Sequence, residues 1–287
     1  MAGAAGGALA ARVFQGGGLG FIAYGYQSLE KLKSEVDTAR ALLKVGAQSP
    51  LPIGIGYLAW QLEAKPVTVA HDLLSVALEN DVQAVWLSFG TEIPRWIKFI
   101  RDSERKLGET KIFVQVSSVK EALVACHEWK VDVIIAQGSE AGGHGSSTSP
   151  PLLTLLSEIL SVIPNDGPPI LGAGGLANGG HLAALIALGA SGGVFGTRFL
   201  LSPESLYSDT ARQALISART GSSSGIAIDD LRRVYADGVR ADDPDRMVIW
   251  AGAGVGLMNK IQPAKEIVGE IHEECVSRLQ AAASSLG

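Results

Sequence analysis

The feature that most constrains this chain is a repeated alternation. Short apolar runs of β character are each followed by a longer stretch whose apolar residues recur at helical spacing. The runs fall at residues 20–24, 52–55, 84–89, 112–116, 131–136, 169–172 and 193–196. Helical patterns occupy 28–44, 67–79, 93–106, 119–128, 152–163 and 180–188. Strands separated by helical crossovers pair in parallel, and the helices then cover the sheet. Seven such units in one chain predict a TIM-type (β/α)8 barrel rather than an open sheet. At 287 residues, 47% of them hydrophobic, the whole chain, 1–287, can serve one barrel domain.

One inner strand is missing from this count. Met1 leads into an Ala/Gly-rich stretch, a helical run to Gln15 and then Gly16-Gly17-Gly18-Leu19-Gly20. A barrel of this type opens with a strand ahead of Met1, so the first strand is expected to be missing from the chain. The best candidate to fill its place is the apolar run at 247–252. Downstream, Thr220 to Gly225 reads as a flexible loop. From 263 to 279, Ile267, Ile271, Val276 and Leu279 share a helical face, with Glu266, Glu270, Glu273 and Glu274 largely on the other. That helix is expected to pack on the barrel exterior and end the domain.

The chemistry concentrates where strands end in glycine. Ala136-Gln137-Gly138-Ser139-Glu140-Ala141-Gly142-Gly143-His144-Gly145 follows the fifth run. Gly142, Gly143 and Gly145 remove side chains, which lets a flat ligand approach the backbone. His144 can exchange a proton near neutral pH. The alternative for these residues alone is a glycine turn with a surface histidine. Further on, Gly172-Ala173-Gly174-Gly175 leads into Ala177-Asn178-Gly179-Gly180, which starts a helix whose free N–H groups would bind an anion. Gly192-Gly193-Val194-Phe195-Gly196-Thr197 repeats the idea about twenty residues later. Loops after the last two strands of a barrel often cradle a phosphate. Each glycine cluster alone could be a tight turn, but the pair at this spacing predicts a phosphate cradle.

Composition excludes other classes. The net charge is −5 and no basic cluster stands out, so a nucleic-acid partner is not expected. Cys126 and Cys275 lack metal-ligand spacing, which fits a reducing, cytoplasmic setting without a disulfide framework or a metal. No apolar run reaches membrane-spanning length, and the start is a poor signal peptide.

At residues 136–145 and 171–199 the chain resembles the nitronate monooxygenase family, formerly the 2-nitropropane dioxygenases. Met1-Ala2-Gly3 resembles the family's loop after its first strand, and Trp250-Ala251-Gly252 with Gly254-Val255-Gly256 resembles a late motif. The resemblance implies a (β/α)8 barrel holding FMN. It also implies O2-dependent oxidation of an alkyl nitronate or nitroalkane to a carbonyl compound and nitrite. By the same resemblance His144 is the catalytic base. Gln137, Gly142 and Gly143 face the flavin, and Gln115 is a polar flavin contact. Gly174, Gly175, Gly196 and Thr197 form the phosphate cradle, and Met1, Ala2 and Gly3 flank the cofactor. Gly56 stands where many members have asparagine. The region 216–246, within a shortened substrate-side segment around 202–246, lacks an expected arginine-glycine motif. Glu140 belongs to the motif and is expected to brace a loop or cap a helix rather than act in catalysis.

Two other readings remain: an FMN-dependent enoyl-thioester reductase using NAD(P)H, and a non-catalytic flavin-binding barrel. Among the other histidines, His71, His127 and His272 read as solvated helix positions and His181 as a helix cap. Tyr57, Trp60 and Trp86 are candidates to line the pocket, with core packing the alternative, above all for Trp86.

Overall fold

The computed structural model describes residues 1–103, 110–143, 145–146, 148–218, 240–242 and 249–286. Seven parallel strands lie in chain order: β1 (Phe21–Tyr24), β2 (Gly54–Leu58), β3 (Ala84–Ser88), β4 (Lys111–Val116), β5 (Val133–Gln137), β6 (Ile170–Ala173) and β7 (Gly192–Val194). Each run predicted from the sequence is one of these strands, with ends moved by at most three residues. Helix α1 (Gly7–Gln15) precedes β1. Helix α2 (Leu29–Leu43) links β1 to β2, and α3 (Ala59–Glu63) with α4 (Val67–Glu79) links β2 to β3. Next come α5 (Ile93–Ser103), α6 (Val119–His127), α7 (Leu152–Val162) and α8 (Gly179–Leu188), each crossing to the following strand. After β7 the chain forms α9 (Thr197–Leu200), α10 (Asp209–Ser217), a 3-10 turn (Ala253–Leu257) and the long helix α11 (Ala264–Leu286).

The pleat sorts side chains onto two faces. Ile22, Ile55, Val85, Leu87, Val114 and Ile134 point outward into one continuous core with the helices. The inner face carries Ala84, Phe113, Ile135 and Ala173, with Phe21, Trp86, Val133 and Leu171 against them. The Phe21 ring fits because Gly54 has no side chain: a Cβ there would lie 2.2 Å from the ring. This is the curled sheet of a (β/α)8 barrel with the first strand missing. β1 and β7 are its two edges, and they are not paired with each other.

Local sequence sets the helix ends. Ser28, Ser118 and Ser208 each accept a backbone N–H at the starts of α2, α6 and α10. At α6 the Glu121 carboxylate also reaches back to the N–H of Ser117, much as in a capping box. Gly189 ends α8 with φ +110°, a conformation open to glycine. Helix α11 packs on α8 and α1, burying Ile267 and Ile271 as their spacing predicted, while Val276, placed on the same face, is exposed. No helix among the described residues is long and apolar enough to cross a membrane.

The candidate filler for the gap is not a strand where it is described. Residues 247 and 248 lie outside the described residues, and Ile249 to Gly252 carry no sheet pairing. Gly252 N–H instead donates to Thr197 Oγ1 after β7, and the next residue, Ala253, donates to the Glu140 carbonyl after β5.

Candidate functional site

The site is built at the C-terminal ends of the strands. Gln115 and Gln137 follow Phe113 and Ile135 on the inner face by the two-residue pleat. Both are half-buried, and their side-chain amides have no hydrogen-bond partner among the described residues. Trp86 packs edge-on against Phe21 with ring centroids 5.4 Å apart, which is core packing. Its indole Nε1 is buried without a partner among the described residues. Tyr57 is on the outer face, fully buried, with its hydroxyl donating to the Leu73 carbonyl at 2.9 Å. It does not line the mouth, because its strand position turns it toward α4. Trp60 is at the rim, 41% exposed, with its ring 6.0 Å from that of Tyr26.

Two glycine-ended strands adjoin, since β6 pairs with β7. After β6, Gly174 and Gly175 take φ of +124° and +68°, which favours glycine. After β7 come Gly196 and Thr197. The backbone N–H groups of Gly175, Gly196 and Thr197 have no acceptor among the described residues. Met1 reaches this place from the chain start. A Cβ on Gly196 would lie 3.7 Å from the Met1 side chain, and one on Gly25, just after β1, 2.6 Å from that of Ala2. Met1 and Ala2 therefore lie between the ends of β7 and β1. Gly3, with φ +80°, turns the chain toward α1 and has open space where a side chain would be.

The start of α8 differs from its sequence reading. Most of its N–H groups are already engaged. Gly179 N–H donates to the Glu274 carboxylate at 3.0 Å, His181 N–H to Asn178 Oδ1 at 3.0 Å, and Ala177 N–H to His181 Nδ1 at 3.1 Å. A carboxylate already occupies that end; the Gly180 N–H has no acceptor among the described residues, but that carboxylate stands beside it. His181 acts as the local cap its position suggested. His71 is not merely solvated: its ring stacks on Phe99 at 3.9 Å.

Gly142 also has a different cause from the one the sequence suggested. A Cβ there would lie 2.4 Å from the Ala251 carbonyl carbon and 2.6 Å from the Gly252 nitrogen. Its missing side chain admits another piece of backbone. Gly143 is different, with φ +89° and nothing within 4 Å. Glu140 braces the loop as expected: its carboxylate accepts the Leu152 N–H at 2.8 Å, at the start of α7.

A model of the nitronate monooxygenase family matches residues 1–224. The chain belongs to the nitronate monooxygenase family. A nitronate monooxygenase from Neurospora crassa is 27% identical, over 96% of this chain and 87% of that protein. Among solved structures, a mutant of FabK from Thermotoga maritima superposes with a TM-score of 0.83 at 25% identity, covering 99% of this chain and 93% of that one. Nitroalkane oxidase from Streptomyces ansochromogenes gives 0.77 at 25% identity, covering 98% and 94%. Family and fold together support flavin-dependent oxidoreductase chemistry.

The residues of this nitronate monooxygenase family member fit a flavin mononucleotide at the barrel mouth. The test is chemical. A phosphate needs convergent donors, and the open N–H groups after β6 and β7 supply them. The ring needs polar partners, which Gln115 and Gln137 offer from the inner face, and Gly143 has nothing within 4 Å of where a side chain would be. His144 lies outside the described residues, as do residues 219–239 and 243–248 of the substrate-side segment.

Proposed function

We propose that this protein oxidises alkyl nitronates and nitroalkanes with O2, in an FMN-dependent reaction giving a carbonyl compound and nitrite. Residues 1–287 then act as one FMN-binding barrel domain, with a short substrate-side segment around 202–246. The observation that carries the reading is the pair of adjoining glycine loops, whose N–H donors are open, while at α8 a carboxylate already takes the Gly179 N–H. FMN, when bound, supplies the reversible electron-pair acceptor that no side chain offers. Gly174, Gly175, Gly196 and Thr197 hold its phosphate. Gln115 and Gln137 offer amide groups from the inner face, Gly143 leaves one approach free of side chains, and Gly142 presents backbone. Met1, Ala2 and Gly3 flank the cofactor from the β1 side. His144 is assigned from the sequence as the base that takes the proton α to the nitro group. Once protonated, it favours the anionic nitronate by charge. The setting is cytoplasmic, the partners are the small-molecule substrate and O2, and neither nucleic acid nor membrane is involved.

The absorbance spectrum of purified protein tests this. A yellow protein bleached by nitronate, reoxidised by air and releasing nitrite supports it. Protein that stays colourless after FMN is added refutes it. Bleaching by NADH with turnover of a crotonyl thioester replaces it with enoyl-thioester reduction. His144→Ala should retain FMN and lose far more turnover of neutral nitroalkanes than of preformed nitronates. Equal turnover of neutral nitroalkanes by parent and variant removes His144 from the mechanism.

A further inference from the structure

We propose that the turn at residues 251–254 is a positioning element that commits the Thr197 hydroxyl to donate to a phosphate monoester. This rests on the FMN reading and deepens it. The turn touches the loops after three strands. Ala253 N–H donates to the Glu140 carbonyl at 2.9 Å, in the loop after β5. Gly254 lies against the loop after β6, where a Cβ would come within 2.2 Å of the Gly175 carbonyl oxygen. Gly252 N–H donates to Thr197 Oγ1 at 2.8 Å, after β7. One short piece of chain thus fixes the relative placement of all three glycine-ended strands.

The bond to Thr197 also sets a polarity. A hydroxyl has one proton to give and two lone pairs. The Gly252 N–H engages a lone pair, so the proton is turned to a different acceptor. None is found among the described residues. The same residue's N–H and those of Gly175 and Gly196 are open as well. A group that only accepts and carries negative charge satisfies this set of donors, and a phosphate monoester is such a group. Neutral riboflavin carries the same ring without the phosphate, so it separates the cradle from the ring site.

The experiment measures dissociation constants of FMN and riboflavin, by flavin fluorescence, for flavin-stripped parent, Thr197→Val, Thr197→Ser, Gly252→Ala and the Thr197→Val/Gly252→Ala double variant. Thr197→Val should weaken FMN roughly 10- to 100-fold, the worth of one charge-assisted hydrogen bond, and leave riboflavin unchanged. Thr197→Ser should keep the parent preference. Gly252→Ala places a Cβ 3.0 Å from the Glu140 carbonyl oxygen. It lifts the turn and also crowds the Gly175 nitrogen, 3.4 Å from the same Cβ, so it should cut the FMN preference. The double variant should lose less than the sum of the two single losses, because the share carried by the hydroxyl is common to both. Riboflavin affinity reports that each variant is folded. Equal weakening of FMN and riboflavin by Thr197→Val overturns the proposal, as do additive losses in the double variant. A parent that binds FMN no better than riboflavin overturns it while leaving the flavin reading intact. A parent that binds neither overturns both.

Discussion

Glu140 offers the sharpest test of how the site loops are held. Helix α7 begins after Pro150-Pro151, and Pro151 at the cap position has no side-chain acceptor to offer. The first helical N–H, of Leu152, is satisfied instead by Glu140, at 2.8 and 3.1 Å from the two carboxylate oxygens. The same side chain fills the space beside two glycines. A Cβ on Gly138 would lie 2.6 Å from Glu140 Oε2, and one on Gly175 would lie 3.0 Å from Glu140 Cβ. Glu140→Ala therefore removes a cap to a charged acceptor, leaves the Leu152 N–H without its partner and opens a gap between the β5 and β6 loops. Lost caps cost about 0.5–2 kcal/mol, with charged acceptors toward the upper end. For a chain of this size that lowers the melting temperature by roughly 1–3 °C. Glu140→Gln keeps an acceptor oxygen and should lose about half as much. The assay is thermal unfolding of flavin-stripped protein, since a bound ligand adds its own stabilisation. Two results would refute the reasoning: Glu140→Ala melting with the parent, or Glu140→Gln as unstable as Glu140→Ala. Glu140→Gln that melts normally yet loses turnover by orders of magnitude would assign the carboxylate to catalysis.

Three further outcomes follow from the packing. Gly142→Ala must displace backbone at Ala251 and Gly252, so it should cost about 1–3 kcal/mol and lower retained flavin; unfolding and absorbance read both. Gly269→Ala, inside α11 with nothing within 4 Å of the added Cβ, should stabilise by about 0.5–1 kcal/mol in a urea titration. The Tyr57 phenol is pushed above its ordinary 10.0 by burial first, and then by Tyr24. The folded state therefore holds a proton that the unfolded state releases. This contribution to stability is full below pH 10 and falls as pH rises beyond it, by about 1.4 kcal/mol per pH unit for one proton. Tyr57→Phe should flatten that alkaline decline; an unchanged slope would contradict the assignment.

The barrel was legible because both of its periodicities are local. Each strand repeats every two residues and each helix every three or four, so apolar spacing alone located seven strands and the helices between them. Strand ends were less legible. Val131 is apolar and reads as strand, yet its N–H turns back to the Ala125 carbonyl and β5 starts at Val133. The short helices α3 and α9 escaped notice because five and four residues hold too few turns to show a period; α10, nine residues long, buries only Ala211 and Leu215 and so shows little apolar spacing. Tyr57 was misplaced for a related reason. The sequence run ended at Ile55, but β2 continues to Leu58, so Tyr57 lies within the strand and shares the outward face of Ile55 two residues before it.

At the site, glycine spacing marked the right loops but could not say what each glycine makes room for. That depends on chain far away in sequence. Gly142 accommodates Ala251, Gly175 lies against Gly254, and the N–H of Gly179 is met by Glu274, 95 residues on. The last pairing decides between two anion sites that look alike as sequence. Both follow glycines, and both precede a helix. At α8 a carboxylate already takes the donor, so a phosphate arriving there would meet like charge and lose an established bond. At Gly175 and Thr197 it would meet only donors that lack partners. Charge therefore favours the proposed cradle on the β6 and β7 loops over one at the head of α8. Glu274→Gln, which lowers the charge at α8 but keeps an acceptor, should leave FMN affinity within about twofold of the parent. A much larger change would place the phosphate at α8 after all.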